Sequence, residues 1–295
     1  MAKKRILLID GQNILHQSFH KFEKLKSTDG KPSGAIFGFF KSLHMYLERF
    51  TPDEVYISFD NGHSPLRDKL LPNYKGHRKN ISYDRESLFK QRDVILRILR
   101  ILRINYLFDK HKLTVYEGDD ILAYLYYKYL NGDYYITLVS SDKDFNQLLV
   151  NDRIKIFNPR KEKYIRRTNC KEIFGYSPEE TVDFLTLVGD TSDDIPGYPG
   201  IGPVKARKLL DKFGSIHNFI DQSGDLNMVS LYERNKQLID LKWFVDNHPL
   251  DLSKVLKTYK STKINYKKFR EICIEYSFNS FMTDIFIKPF KDLKK

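Results

Sequence analysis

Short apolar runs and longer amphipathic stretches alternate along the first half of the chain. Residues 5–9 (Arg-Ile-Leu-Leu-Ile), 54–59 (Glu-Val-Tyr-Ile-Ser-Phe) and 134–139 (Tyr-Tyr-Ile-Thr-Leu-Val) are β-branched and aromatic, and predict buried strands. A weaker run, 104–108, predicts another. Between them, residues 34–50 set Ala35, Phe39, Leu43, Tyr46 and Leu47 on one helical face. Residues 117–130 open with acids, continue through Ile121, Leu122 and Leu125, and stop at Asn131-Gly132. Strands alternating with helices predict an α/β fold with a mostly parallel central sheet flanked by helices.

Residues 61–103 break this rhythm. A basic stretch containing Gly and Pro, Asn61 to Lys79, precedes a helix from about Asp84 to Arg103. That helix interleaves Arg85, Lys90, Arg92, Arg97, Arg100 and Arg103 with Leu88, Val94, Ile95, Ile98, Leu99 and Leu102, giving an apolar stripe and a positive face. A solvated face and a binding face explain it equally well. From residue 168 the pattern changes to short helices at 178–188, 203–212, 215–221, 230–245 and 266–276. The expected organisation is an α/β core at 1–167, including the basic segment 61–103, followed by a helical region at 168–295.

At 41% hydrophobic and 30% charged, the composition excludes a wholly disordered chain. Cys170 and Cys273, the two cysteines, have no zinc-type spacing and read as free thiols. The apolar run after the basic opening stops at Asp10, too soon for an export signal, and no stretch approaches the roughly 18–20 apolar residues that cross a bilayer. A cytoplasmic protein with no membrane partner is expected. The net charge of +12 and the pI near 9.3 point to a polyanionic partner, nucleic acid above all.

The positions of the carboxylates narrow the chemistry. Asp10 ends the first strand, Asp60 the second, and Asp142 and Asp144 follow the strand at 134–139. Carboxyl ends of parallel strands are where ligands bind, so acids from separate strands converge there. Glu117, Asp119 and Asp120 open one helix, and Asp190, Asp193 and Asp194 follow another. Singly, each is ordinary capping or turn chemistry. Together they repel unless something positive sits among them. A set of oxygen donors without His or Cys suits Mg²⁺ or Mn²⁺ rather than Zn²⁺.

The motifs Ile9-Asp10-Gly11-Gln12-Asn13, Phe59-Asp60, Tyr74-Lys75-Gly76-His77-Arg78 and Tyr116-Glu117-Gly118-Asp119-Asp120 occur in that order. Ser141-Asp142-Lys143-Asp144, Gly189-Asp190-Thr191-Ser192-Asp193-Asp194-Ile195-Pro196-Gly197 and Gly200-Ile201-Gly202 follow. This series resembles the flap endonuclease/5′-nuclease family, which includes the 5′–3′ exonuclease domain of bacterial DNA polymerase I and stand-alone phage enzymes. The resemblance implies a PIN-like nuclease fold in which the basic segment 61–103 forms an arch. It implies two Mg²⁺ ions, replaceable by Mn²⁺. One would be held by Asp10, Asp60, Glu117, Asp119 and, less directly, Asp120; the other would involve Asp142, Asp144, Asp190 and Asp193. Asp194 stands where such relatives usually have Asn, and is not expected among the ligands. Setting those nine apart leaves 29 of the 38 acidic side chains against 50 basic ones, a positive surface around a negative pit.

Residues 189–212 resemble a helix–hairpin–helix, with Gly200 and Gly202 letting the backbone approach a phosphate and Lys205, Arg207 and Lys208 following. In some relatives such a loop also holds K⁺. The family further implies that Lys75 and Arg78 approach the scissile phosphate. Tyr74 offers a candidate stacking surface for an unpaired base, and His77 is given no role. The expected activity is hydrolysis of DNA with free 5′ ends, flaps, and nicked or gapped duplexes, and of RNA primers, by a monomer serving primer removal and repair. Two rivals are a non-catalytic protein that binds branched DNA and an RNA-directed PIN-type nuclease. The complete carboxylate set argues against the first, and the basic segment and hairpin against the second.

Overall fold

The computed structural model describes residues 3–60, 62, 64–76, 84–108, 113, 115–252 and 263–293. Its centre is a six-stranded sheet of β1 (Lys4–Asp10), β2 (Glu54–Ser58), β3 (Asn105–Leu107), β4 (Tyr134–Val139), β5 (Ile154–Asn158) and β6 (Lys163–Ile165), in the order β3-β2-β1-β4-β5-β6. All pairings are parallel except β5 with β6. The apolar run Ile6–Ile9 becomes the middle of the sheet because both faces of β1 are covered, leaving these four side chains almost wholly buried.

Helices α1 (Gly11–Lys21), α2 (Gly34–Phe50), α3 (Pro65–Leu70), α4 (Arg85–Leu102) and α5 (Gly118–Leu130) follow in chain order. On one face of the sheet, α1, α2 and α4 share a core that contains Leu7, Ile9, Ile57 and Val139. On the other, Ile121, Leu122 and Leu125 of α5 pack on Ile6, Leu8, Ile136 and Leu138. The alternation of one strand's side chains between these two cores fixes its register.

The basic helix spends part of its charge internally. Arg92 of α4 is buried between the rings of Phe89 and Phe108, at 4.8 and 4.5 Å. Arg100 donates to the Tyr106 hydroxyl at 3.0 Å, and Arg97 meets Glu275 at 3.3 Å. The positive face predicted for this helix is therefore narrower than its count of cations.

Beyond the sheet come α6 (Arg167–Phe174), α7 (Thr181–Val188), α8 (Pro203–Phe213), α9 (Ile216–Ser223), α10 (Leu226–Ile239) and α11 (Leu241–Asn247). Leu185, Leu187, Ala206, Leu210, Ile216 and Met228 build a third core among them. The single helix expected at 230–245 is two. Asp240 ends α10, and its carboxylate accepts from the Trp243 N–H at 3.0 Å to begin α11. The last helices, Tyr266–Glu275 and Asp284–Lys291, return to the sheet's core, where Phe281 stacks on Phe37 and Phe286 on His44. Among the described residues, no helix is long and apolar enough to cross a membrane.

Candidate active site

Four of the acids sit where parallel strands end, and local structure fixes how each is presented. Asp10 leaves β1 as the N-cap of α1. One carboxylate oxygen accepts from the Asn13 N–H at 2.9 Å and the other from the Ser140 hydroxyl at 2.8 Å. The turn requires Gly11, because a Cβ there would lie 2.6 Å from the Ser58 carbonyl oxygen. Asp60, past the end of β2, accepts from the Gly118 N–H at 2.8 Å and so joins β2 to the start of α5. A Cβ on Gly118 would come within 2.9 Å of that Asp60 oxygen. After β4, the Ser140 hydroxyl accepts from the Asp142 N–H at 3.0 Å, and Asp142 accepts from the Asp144 N–H at 2.9 Å. Asp190 leaves α7 on the short strand Gly189–Asp190, accepting from both the backbone and the hydroxyl of Ser192.

These acids share one electrostatic neighbourhood. Burial, followed by the charges of Asp60 and Asp142, pushes Asp10 up to about 7. Asp119 is raised well above the carboxylate range by burial and then by Asp142, Asp10 and Asp60. Asp144 is raised likewise by burial and by Asp142, Asp190 and Asp193, and Asp142 by burial, Asp193 and Asp190. Asp142 thus joins an Asp10–Asp60–Asp119 group to an Asp144–Asp190–Asp193 group. Raised values of this kind mark negative charge in excess of its compensation.

Among the described residues, no three His, Cys, Asp or Glu side chains already close round a common point as a ready-made metal cage. The chemistry of the set nevertheless fits hard divalent cations. Its donors are all carboxylate oxygens, and the buried Asp144 Oδ1 has no hydrogen-bond partner.

Positive charge reaches the cluster from the basic segment. The Lys75 ammonium is buried, 2.7 Å from Glu117 Oε2 and 3.5 Å from Asp193. Burial works against charge on both partners. Lys75 and Arg67 nevertheless hold the Glu117 carboxyl down at about 2, and Glu117, Tyr74 and Asp193 keep Lys75 well above the ordinary lysine range. Lys75 adopts φ 52°, a left-handed conformation unusual for a side-chain-bearing residue, and its N–H donates to the Asp193 carbonyl at 2.9 Å. A strained residue pinned from both sides is one whose direction the fold specifies.

Several expectations are corrected here. Tyr74 is 3% exposed, and its hydroxyl donates to Glu117 at 2.9 Å and Asp193 at 3.1 Å, so its ring is core and offers no stacking surface. Asp120 is wholly buried. One oxygen takes Arg67 Nη2 at 2.7 Å, while the other takes Arg67 Nη1 and the Glu117 N–H, both at 2.8 Å. Asp120 is a helix cap and ion-pair anchor, and that geometry removes it from the expected ligand set. Arg78 and His77 lie outside the described residues.

Three residues near the cluster were not anticipated. Arg67 is buried against Asp120, Glu117 and, at 4.7 Å, the Phe244 ring; in the sequence it is one cation among many. Ser140 bridges Asp10 and Asp142, and Lys143 sets its ammonium 3.2 Å from Asp190. Lys143 had a visible signal, because it stands between two of the candidate acids.

At the hairpin, Gly200 takes φ 77° and Gly202 precedes α8, which has Pro203 in its first turn. The Lys205 ammonium donates to the Gly200 carbonyl at 2.9 Å. Lys208 is exposed. Arg207 instead pairs with Glu180 at 3.2 Å and Asp211 at 3.6 Å, which ties its guanidinium to the protein rather than presenting it to a phosphate.

Comparison with known proteins agrees with this architecture. The family model for the N-terminal resolvase-like domain of 5′-3′ exonucleases matches residues 5–175, and that for their C-terminal SAM fold matches residues 176–271. A 5′-3′ exonuclease of Aquifex aeolicus is 31% identical over 217 residues, 74% of this chain and 72% of the relative. One from Buchnera aphidicola is 29% identical over 291 residues, 94% and 98% of the two chains. The thermostable DNA polymerase I of Thermus aquaticus is 32% identical over 91% of this chain, which matches 30% of that polymerase. A bacteriophage T5 flap endonuclease, solved with DNA and metal ions, shares the fold at a TM-score of 0.69 and 21% identity, over 82% of this chain and 92% of its own.

Proposed function

Because the chain belongs to the 5′-3′ exonuclease family and is a nuclease, we propose that it hydrolyses phosphodiesters at 5′ ends and 5′ flaps of DNA, using the carboxylate cluster at the carboxyl edge of the sheet. The observation that carries this reading is the convergence of Asp10, Asp60, Asp119, Asp142, Asp144, Asp190 and Asp193 beside Glu117, with more negative charge than Lys75 and Lys143 offset. A pair of bound Mg²⁺ or Mn²⁺ ions would supply water activation and stabilisation of the leaving 3′ oxygen. The protein's own share is positional. Ser140 fixes Asp10 and Asp142, the start of α5 fixes Asp60, and Ser192 fixes Asp190, so the donor oxygens are held before substrate arrives. No side-chain nucleophile is required.

Lys75 donates to the scissile phosphate as charge develops there, exchanging its carboxylate partners for the ester; its burial beside Glu117 and Asp193 supports this role. Exposed Lys208, together with Lys205, contributes contacts to the phosphate backbone that carry no sequence information. Removal of RNA primers and repair of flaps follow as roles for such an activity in the cytoplasm. The test is incubation of purified protein with labelled 5′-flap DNA. Cleavage that requires Mg²⁺ supports the reading, whereas binding without cleavage supports the branched-DNA-binding alternative.

Affinity for flap DNA is expected to fall steeply with salt, because each neutralised duplex phosphate contributes a log–log slope of about −0.9. Lys205→Ala with Lys208→Ala should make that slope shallower without changing sequence preference. Titrations in EDTA at several salt concentrations check this, and a slope unchanged by the double variant would remove these lysines from the interface.

A further inference from the structure

The amino-terminal edge of the sheet, at the pole away from the carboxylates, contains a second feature with binding chemistry. A cavity of about 300 Å³ opens there, lined by residues of β1, β4 and β5 and by Phe50 at the end of α2. Five residue steps along β1, about 16 Å of strand, separate Arg5 in its lining from Asp10. Leu7 pairs with Thr137, and Thr137 with Lys155, so three neighbouring strands turn these side chains to the same face.

The lining is strongly cationic. It includes Arg5, Arg153, Lys155 and Arg166 against a single carboxylate, Asp152. Two of the cations are held by the fold. Arg153 donates to the carbonyls of Gly132 at 2.7 Å and Leu130 at 3.3 Å, where α5 ends, and Arg5 donates to the Thr51 hydroxyl at 2.5 Å beside Asp53. The other two have no ion-pair partner among the described residues. Lys155 and Arg166 instead converge on the Tyr164 ring, at 5.0 and 4.9 Å from its centroid. Arg49 also lies at this ring, 5.3 Å from its centroid, with its Nε donating to the Tyr164 hydroxyl at 3.2 Å. Three cations gathered at one ring repel one another, and an anion placed among them would relieve that repulsion. The cavity also offers aromatic surface. Phe50 is buried in its wall, while Tyr135 is 47% exposed at a site where burial would favour it.

We propose that this cavity is a nucleotide site that takes a single nucleoside monophosphate, its phosphate between Lys155 and Arg166 and its base against the exposed ring of Tyr135. The volume lies at the small end of the range for ligand pockets, which suits one nucleotide rather than an oligonucleotide. The inference is independent of the catalytic reading, because it concerns the opposite edge of the sheet and needs neither metal nor cleavage.

The test is calorimetric titration in EDTA with deoxyadenosine monophosphate, deoxyadenosine, inorganic phosphate and a 5′-phosphorylated single-stranded oligonucleotide. The monophosphate is expected to bind at least tenfold more tightly than phosphate, with the nucleoside silent. Lys155→Ala combined with Arg166→Ala should weaken its binding at least tenfold, and Lys242→Ala should not. The pair Lys155→Gln and Arg166→Gln keeps the stems over Tyr164 and guards against a folding defect; the same loss is expected. No binding of the monophosphate, binding that survives both double variants, phosphate binding equally well, or binding of the oligonucleotide alone would each overturn the proposal.

Discussion

Lys75→Ala is expected to slow single-turnover cleavage of a saturated 5′-flap substrate by about 10²–10³, roughly 2.7–4 kcal/mol, the usual value of a preorganised donor aimed at developing charge. The expectation rests on how the ammonium is held, buried at the acid cluster, with its backbone in a left-handed conformation pinned to Asp193. Lys69, an exposed lysine on the neighbouring helix α3, is the control. Lys69→Ala should weaken DNA binding slightly, lower salt should restore it, and the rate at saturation should not change. If Lys75 served only to neutralise Glu117, its removal would appear in the unfolding transition and leave the rate of the folded enzyme within a factor of a few.

Arg67→Ala is expected to produce the largest loss of stability of any single change near the site, about 3–5 kcal/mol. Arg67 is 3% exposed and makes a two-pronged pair with Asp120 while lying 3.5 Å from Glu117. Its loss would strand a carboxylate that is wholly buried. The pair itself need not be strongly stabilising, since desolvating both charges costs much of what their attraction returns. Arg67→Met with Asp120→Asn should therefore recover more than half of the loss, because the buried charge is removed while the Glu117 N–H keeps an oxygen acceptor. Urea unfolding of the single and double variants measures both effects. A loss below about 1 kcal/mol for Arg67→Ala would mean that the pair behaves like a solvated surface bridge.

Much of this architecture was legible in the sequence where a single physical demand dominated. Ile6–Ile9 could only be a strand covered on both faces, and the stripe of Ile95, Ile98, Leu99 and Leu102 had to face a core. The β5–β6 hairpin was missed because Ile154–Asn158 is five residues long with a lysine in it, and Lys163–Ile165 has only three. Neither is long enough to show a period. The carboxylates were legible because they recur at strand ends in a known order, and order survives in one dimension. What each neighbouring side chain does is a three-dimensional matter. Tyr74 is locally an aromatic beside cations, and only Glu117 and Asp193, 43 and 119 residues later, turn its hydroxyl inward. Asp120 could equally have been a cap or a ligand until Arg67 occupied both its oxygens. Likewise, Arg207 counted as a positive residue of the hairpin until Glu180 and Asp211 were seen to hold it.

The claim that these carboxylates serve metal-assisted hydrolysis, and not the core, is tested most directly by Asp119→Asn combined with Asp142→Asn. Both acids are pushed upward by burial and by like-charged neighbours, so neutralising them relieves repulsion in the metal-free protein. The measurement is Mg²⁺-dependent cleavage of a saturated 5′-flap substrate, with thermal unfolding in EDTA recorded on the same preparation. The account predicts cleavage reduced at least ~10³-fold, about 4 kcal/mol, with flap binding retained and a melting temperature equal to or above that of the parent. Cleavage within a factor of a few of the parent, in a protein that melts normally, would contradict it.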